Sequence, residues 1–172
     1  MNFLELAKQR CSVRKYKTDA VEEEKLDKLL EAARIAPTAA NMQSHRLLVV
    51  TGNEGLNKMS KGVNFHGAPL VIIVCGDHSN VFVRPFDRKD MVSVDATIVA
   101  DHIVLEAEDL GLSTCWLTYF EPTVIRKEFN IPDNLEPVAI IAIGYADTQK
   151  ASPDRHSLER KAVDEFVFYE TF

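Results

Sequence analysis

Apolar positions recur along this chain with two periods, one helical and one of strand type, and each period marks an element. In "NFLELAKQR", Phe3, Leu4 and Ala7 fall on one helical face behind Asn2, a candidate N-cap. "TDAVEEEKLDKLLEAARIAP" predicts a second helix: Asp19 is a candidate cap, Glu22, Glu23 and Glu24 fill the first turn, and Pro37 ends it. Its apolar stripe is Val21, Leu26, Leu29, Leu30, Ala33 and Ala36. "RLLVVT" and "APLVIIVCG" are short β-branched runs bounded by turn residues, the pattern of strands buried on both faces. "DMVSVDATIVADHIVLEAEDLGL" is a long apolar helix interrupted by Asp95, Asp101, Glu106 and Asp109 and terminated by Gly111. "STCWLTY" then reads as a strand, "EPTVIRKEFN" as a helix opened by Pro122, and "EPVAIIAIGYA" as a last buried strand. Helices and strands alternate without strict βαβ units, so the expected class is α+β.

The tail "ASPDRHSLERKAVDEFVFYETF" carries Val163, Phe166, Phe168 and Phe172 without a clean period, an apolar load that a neighbouring subunit could bury. At 172 residues and 46% hydrophobic content, with no internal repeat, one domain over residues 1–172 is expected. The formal net charge of -6 speaks against nucleic acid or an anionic membrane as partner. No run reaches the roughly 20 apolar residues of a membrane span, and the polar start does not resemble a signal peptide, so a cytoplasmic protein is expected. Cys11, Cys75 and Cys115 lie far apart and are odd in number, which points to reduced, structural thiols.

Against that acidic background, "AKQRCSVRKY" is locally basic: Arg10, Arg14 and Lys15 surround Ser12, a composition suited to a small anion. Other chemistry is missing. "TGNEGLNKMSKG" has neither dinucleotide nor P-loop glycine spacing, and no G-x-S-x-G occurs. His45, His66, His78, His102 and His156 show no zinc pattern, so no metal site is expected.

Three segments, in order and together spanning nearly the whole chain, resemble the nitroreductase family of FMN-dependent oxidoreductases. "QRCSVRKY" resembles the family's Arg-x-Ser-x-Arg segment, and "RIAPTAANMQSHRLLVV" its Ala-Pro-Ser-x-x-Asn-x-Gln loop leading into a strand. "VSVDATIVADHIVLEAEDLGLSTCWLTYF" is similar to the central helix and Gly-Leu-x-Thr-x-Trp strand, with "VAIIAIGYAD" and "HSLERKAVDEFVFYETF" matching the final strand and basic tail. The resemblance implies a mixed central sheet flanked by helices, with the C-terminal tail exchanged across a homodimer and FMN sites at the subunit interface.

By that resemblance, Arg10 and Ser12, with Cys11 between them, bind the FMN phosphate, and Arg160 with Lys161 completes the phosphate pocket. Arg14 matches the position that reaches the ribityl chain and the pyrimidine edge, where a cation stabilises the reduced flavin. Pro37, Thr38, Ala39, Asn41 and Gln43 correspond to a loop donated by the other subunit, with Asn41 and Gln43 hydrogen-bonding to the flavin. Backbone groups of Cys115, Trp116 and Leu117 are expected at the ring edge. The flavin carries the chemistry, so no catalytic side chain is expected. The implied activity passes electrons from NAD(P)H to nitroaromatic, quinone or similar acceptors with ping-pong kinetics.

Ser44 and His45 stand where the family usually has Pro-Trp, and Thr38 replaces a commoner serine, changes beside the expected flavin face that bear on substrate choice. Other readings stay open: another branch of the family (dehalogenation, flavin fragmentation or heterocycle oxidation), or a non-catalytic binder of flavin or another phosphorylated ligand.

Overall fold

A computed structural model describes residues 2–172. Four antiparallel strands form the sheet, in the order β1-β2-β4-β3: β1 is His45–Val50, β2 Leu70–Asp77, β3 Ser113–Leu117 and β4 Leu135–Gly144. A parallel bridge from Ser12 to Thr114 extends the sheet beyond β3 and makes it mixed. The helices are α1 (Phe3–Gln9), α2 (Glu23–Ile35), α3 (Asn53–Met59), α4 (Val92–Asp109), α5 (Pro122–Phe129) and α6 (Arg155–Glu159).

Strand alternation divides the core into two layers. Leu70, Ile72 and Val74 of β2, with Ala139, Ile141 and Ile143 of β4, face Leu29 and Ala33 of α2 and Ala96, Val99, Ala100 and Ile103 of α4. The intervening Val71, Ile73 and Cys75 face Met59 of α3 and Ile125 of α5. Every residue of β2 is buried, as its uninterrupted apolar run required. Gly111, at φ 75°, ends α4 as expected: its N–H donates to the Glu108 carbonyl and that of Leu112 to the Ala107 carbonyl, a Schellman closure.

Some local expectations need correction. Asp19 does not cap α2; the N-cap is Glu22, whose carboxylate instead accepts the Tyr145 hydroxyl. The glycine-containing stretch after β1 is a helix, α3. Asn2 caps α1 through a reciprocal bond with Glu5, yet Phe3 and Leu4 stay exposed. The tail aromatics Phe166, Phe168, Tyr169 and Phe172 are also exposed. Among the described residues, no helix is long and apolar enough to cross a membrane.

Candidate functional site

Beyond α1 the chain runs extended along the outer edge of β3. Cys11, Val13 and Tyr16 turn into the core while Ser12, Arg14 and Lys15 face outward, and the Val13 N–H donates to the Thr114 carbonyl at 2.9 Å. Strand alternation therefore puts Arg10, Ser12 and Arg14 on one side of the segment. The Tyr16 hydroxyl pins that segment from below, donating to the Val13 carbonyl at 2.8 Å.

A second element docks on the same corner. Arg155 of α6 donates to the carbonyls of Lys8 at 3.2 Å and Arg10 at 2.7 Å, satisfying orphan acceptors at the C-terminal end of α1. His156 Nε2 lies 3.1 Å from the Lys8 carbonyl; since a carbonyl only accepts, Nε2 holds the proton and Nδ1 accepts from Arg160 Nε at 3.4 Å. Arg160 thus reaches the end of α1 only through His156, and both Arg160 and Lys161 are exposed. Arg155 and His156 were missed in the sequence because their work is done on backbone carbonyls, which leave no motif.

Lys15 forms a salt bridge with Asp147 at 2.8 Å. Among the described residues, Arg10, Arg14, Arg155, Arg160 and Lys161 have no carboxylate partner. In a chain of net charge -6, such a set of cations without carboxylate partners suits an anion. Their field is felt nearby: burial pushes the Cys115 thiol pKa up, while Arg14 and Arg10 pull it down. Burial also lowers the His66 pKa, and Arg14 lowers it further. The Cys11 and Cys115 side chains lie in the core, and the Cys115 backbone groups turn to β4, opposite Ala142. Thr114 turns its carbonyl to the outer edge of β3, and alternation puts the backbone groups of Trp116 on that same edge.

The loop from Pro37 to Gln43 sits at the start of β1 and is held by one of the acidic residues that interrupt the apolar run of α4. Asp95, on the first turn of α4 and only 1% exposed, accepts the Ala39 N–H and the Ser44 hydroxyl, each at 2.9 Å. One carboxylate thus ties both ends of the loop. Between the ties, Ala40, Asn41 and Gln43 adopt left-handed backbone at φ 51°, 54° and 52°. The Gln43 N–H donates to Thr38 Oγ1 at 2.9 Å, and Asn80 Nδ2 to the Met42 carbonyl at 3.0 Å. Pro37, Asn41 and Gln43 are exposed. The departure from Pro-Trp now has a structural meaning: Ser44 supplies the second tie, and His45 leaves its Nδ1 buried without a partner among the described residues. Burial, then Arg46, holds the His45 pKa low against the pull of Asp95.

These two groups of residues do not meet. Ser12 is level with Thr114, Ile143 and Leu70, whereas His45 is level with Gly76 at the other end of β2. Four strand spacings separate them laterally, roughly 19 Å, and the Leu70-to-Gly76 rise adds about 20 Å along the strands, giving a diagonal of about 28 Å. The basic corner and the amide loop occupy opposite corners of the sheet.

The comparisons with known proteins agree with this architecture. A family model described as "Putative TM nitroreductase" matches residues 2–171. A curated relative from Methanothermobacter thermautotrophicus, named "Putative NADH dehydrogenase/NAD(P)H nitroreductase", is 34% identical over 93% of this chain and 88% of its own. A crystal structure of a nitroreductase family protein from Clostridium difficile 630 superposes with a TM-score of 0.98 at 50% identity, covering 100% of both chains. A second solved structure, named an FMN-dependent nitroreductase from Clostridium difficile R20291, has a TM-score of 0.81 at 32% identity over 99% of this chain and 100% of that one.

Proposed function

Because the chain belongs to the nitroreductase family, we propose that it is an FMN-dependent oxidoreductase taking electrons from NAD(P)H and passing them to nitroaromatic, quinone or similar acceptors, as a homodimer with two shared sites. The observation that carries the shared site is the diagonal separation of its two halves. A ligand of FMN's size cannot touch both corners of one protomer, but a two-fold partner can bring its loop to the other's basic corner.

The residues fit the cofactor. Arg10, Ser12 and Arg160 form a donor set for a phosphate, with forked guanidinium groups free of carboxylates and a hydroxyl turned outward. Arg155 holds Arg10 and the end of α1 in place from behind. Arg14 adds positive charge toward the ribityl chain and ring, and of the expected Cys115, Trp116 and Leu117 it is Trp116 that offers backbone groups at the outer edge of β3. Asn41 and Gln43 of the partner subunit would supply amide contacts, presented by the loop that Asp95 clamps. FMN, once bound, supplies the two-electron chemistry. The exposed Phe166, Phe168 and Phe172 would bury against the partner, which is the expected tail exchange. Residues 1–172 act in this reading as one domain.

Purified protein should show a flavin spectrum and release FMN on heating, oxidise NAD(P)H with a quinone or nitroaromatic acceptor, and give the parallel double-reciprocal lines of ping-pong kinetics. A protein that cannot be loaded with FMN, or an FMN-loaded protein that no reduced nicotinamide reduces, would overturn the proposal.

A further inference from the structure

Between β2 and α4 the chain forms a hairpin stiffened from within. Val83 bridges Asp90 antiparallel, the Arg84 N–H donates to the Lys89 carbonyl at 2.9 Å, and the Arg88 N–H to the Arg84 carbonyl at 3.0 Å. Arg84 and Asp87 pair through their side chains, and the Met91 N–H donates to the Phe82 carbonyl at 3.1 Å. At the tip of this ordered finger, Phe86 is 93% exposed. Arg88 and Lys89, beside it, have no carboxylate partner among the described residues. A rigid finger that ends in a bare ring and two free cations is a poor way to finish a loop that only connects elements.

Its place in the fold ties it to the amide loop. Immediately before it, Asn80 donates to the Met42 carbonyl and the Asp77 N–H to the Ser44 carbonyl at 2.6 Å. The His78 ring lies between Asp90 at 3.2 Å and Glu136 at 2.8 Å, anchoring the base of the finger to β4. Wherever the amide loop meets a flavin, the finger stands beside it.

We propose that this hairpin docks the pyridine dinucleotide donor, Phe86 stacking on its adenine and Arg88 and Lys89 taking its phosphate oxygens. The inference rests on the proposed function, with the amide loop as one wall of the partner's flavin site. The charges single out the donor. NADH and NADPH are anionic and carry a second aromatic ring, whereas quinones and nitroaromatics are flat and mostly neutral. A chain of net charge -6 repels the donor at a distance, so local cations at the mouth of the site are what let it approach.

The test uses FMN-loaded dimers of wild type, Phe86→Ala and the Arg88→Ala/Lys89→Ala double variant, reduced by NADH or NADPH and then reoxidised by a neutral quinone in stopped flow. In the double variant the second-order rate of reduction should fall roughly ten-fold, the loss of about one charge-assisted bond. Phe86→Ala should slow reduction several-fold, and reoxidation should stay at the wild-type rate in both. Added salt should slow reduction of the wild type, whose finger attracts the donor, and speed that of the double variant, in which only the repulsion of the acidic chain is left to screen. Reduction at the wild-type rate in both variants would overturn the inference alone. So would an equal fall in both half-reactions accompanied by loss of dimer, which would make the finger interface packing. A wild-type flavin that neither nucleotide reduces would overturn the proposed function and this inference together.

Discussion

Substitution of Asp95 by alanine removes the two bonds that close the amide loop, and the structure allows the consequence to be worked out. Hydrogen bonds to a charged acceptor contribute about 1.5–3 kcal/mol each, so the Ala39 and Ser44 bonds together supply roughly 3–6 kcal/mol. Opposing them, Ala40, Asn41 and Gln43 sit in left-handed backbone at about 1–2 kcal/mol each, roughly 3–5 kcal/mol in all because Asn tolerates that region. The loop also keeps neutral bonds of about 1 kcal/mol each, from Gln43 N–H to Thr38, Asn80 to Met42, Asn41 N–H to the Thr38 carbonyl and Met42 N–H to the Ala39 carbonyl. With Asp95 the closed loop wins. Without it about 4 kcal/mol of neutral bonds stands against roughly 3–5 kcal/mol of strain, so the closed form falls to as little as about one part in six. FMN affinity should fall by that same factor, since binding must first restore the loop. Asp95→Asn keeps an acceptor for Ala39 and can donate to Ser44, so its loss should stay within about two-fold. Fluorescence-quenching titrations of FMN into the apo variants, with thermal unfolding as a check on the fold, measure this directly. Wild-type affinity in Asp95→Ala, or equal damage from alanine and asparagine, would refute the clamp.

The basic corner and two half-buried histidines yield further predictions. Arg10→Ala should weaken FMN roughly 10–100-fold with little change in melting temperature, because the side chain acts on phosphate while Arg155 bonds only its carbonyl. Lys15→Ala, whose charge is already spent on Asp147, should bind FMN like the wild type. His45 and His66 have folded pKa values held below the ordinary histidine value by burial. Between the folded value and about 6.5 the unfolded chain binds more protons, so apo-protein stability should drop as pH falls from 7 toward 5. Urea midpoints against pH should therefore slope less in His45→Leu. That variant should lose no stability at pH 7, since it also removes a buried acceptor without a partner. A slope unchanged in His45→Leu would contradict this assignment.

Elements with one dominant signal were legible in the sequence. The apolar run of β2, the long stripe of α4 with Gly111 behind it, and Pro122 opening α5 each produced the expected element. The helix α3 was hidden because it contains Gly55, a residue that argues against helices. The structure gives its reason: a Cβ there would lie 2.7 Å from Val50 Cγ1. The basic segment was readable because charge stands out in an acidic chain. Asp95 was not, since a lone aspartate on an apolar helix reads the same whether it meets water or two buried donors. The diagonal arrangement of the two half-sites was also invisible, because strand order and register are decided by pairing across the sheet and not by any local pattern.

The sharing of each flavin site by two protomers is tested most directly with a mixed dimer. One chain carries Arg10→Ala and the other Asp95→Ala, and the heterodimer is isolated through two different tags. One site then combines an intact basic corner with an intact loop, while the other carries both defects. The heterodimer should hold one FMN per dimer at close to wild-type affinity, although both parent homodimers bind it poorly. If the heterodimer binds no better than its parents, corner and loop act within one chain, and the shared site is wrong.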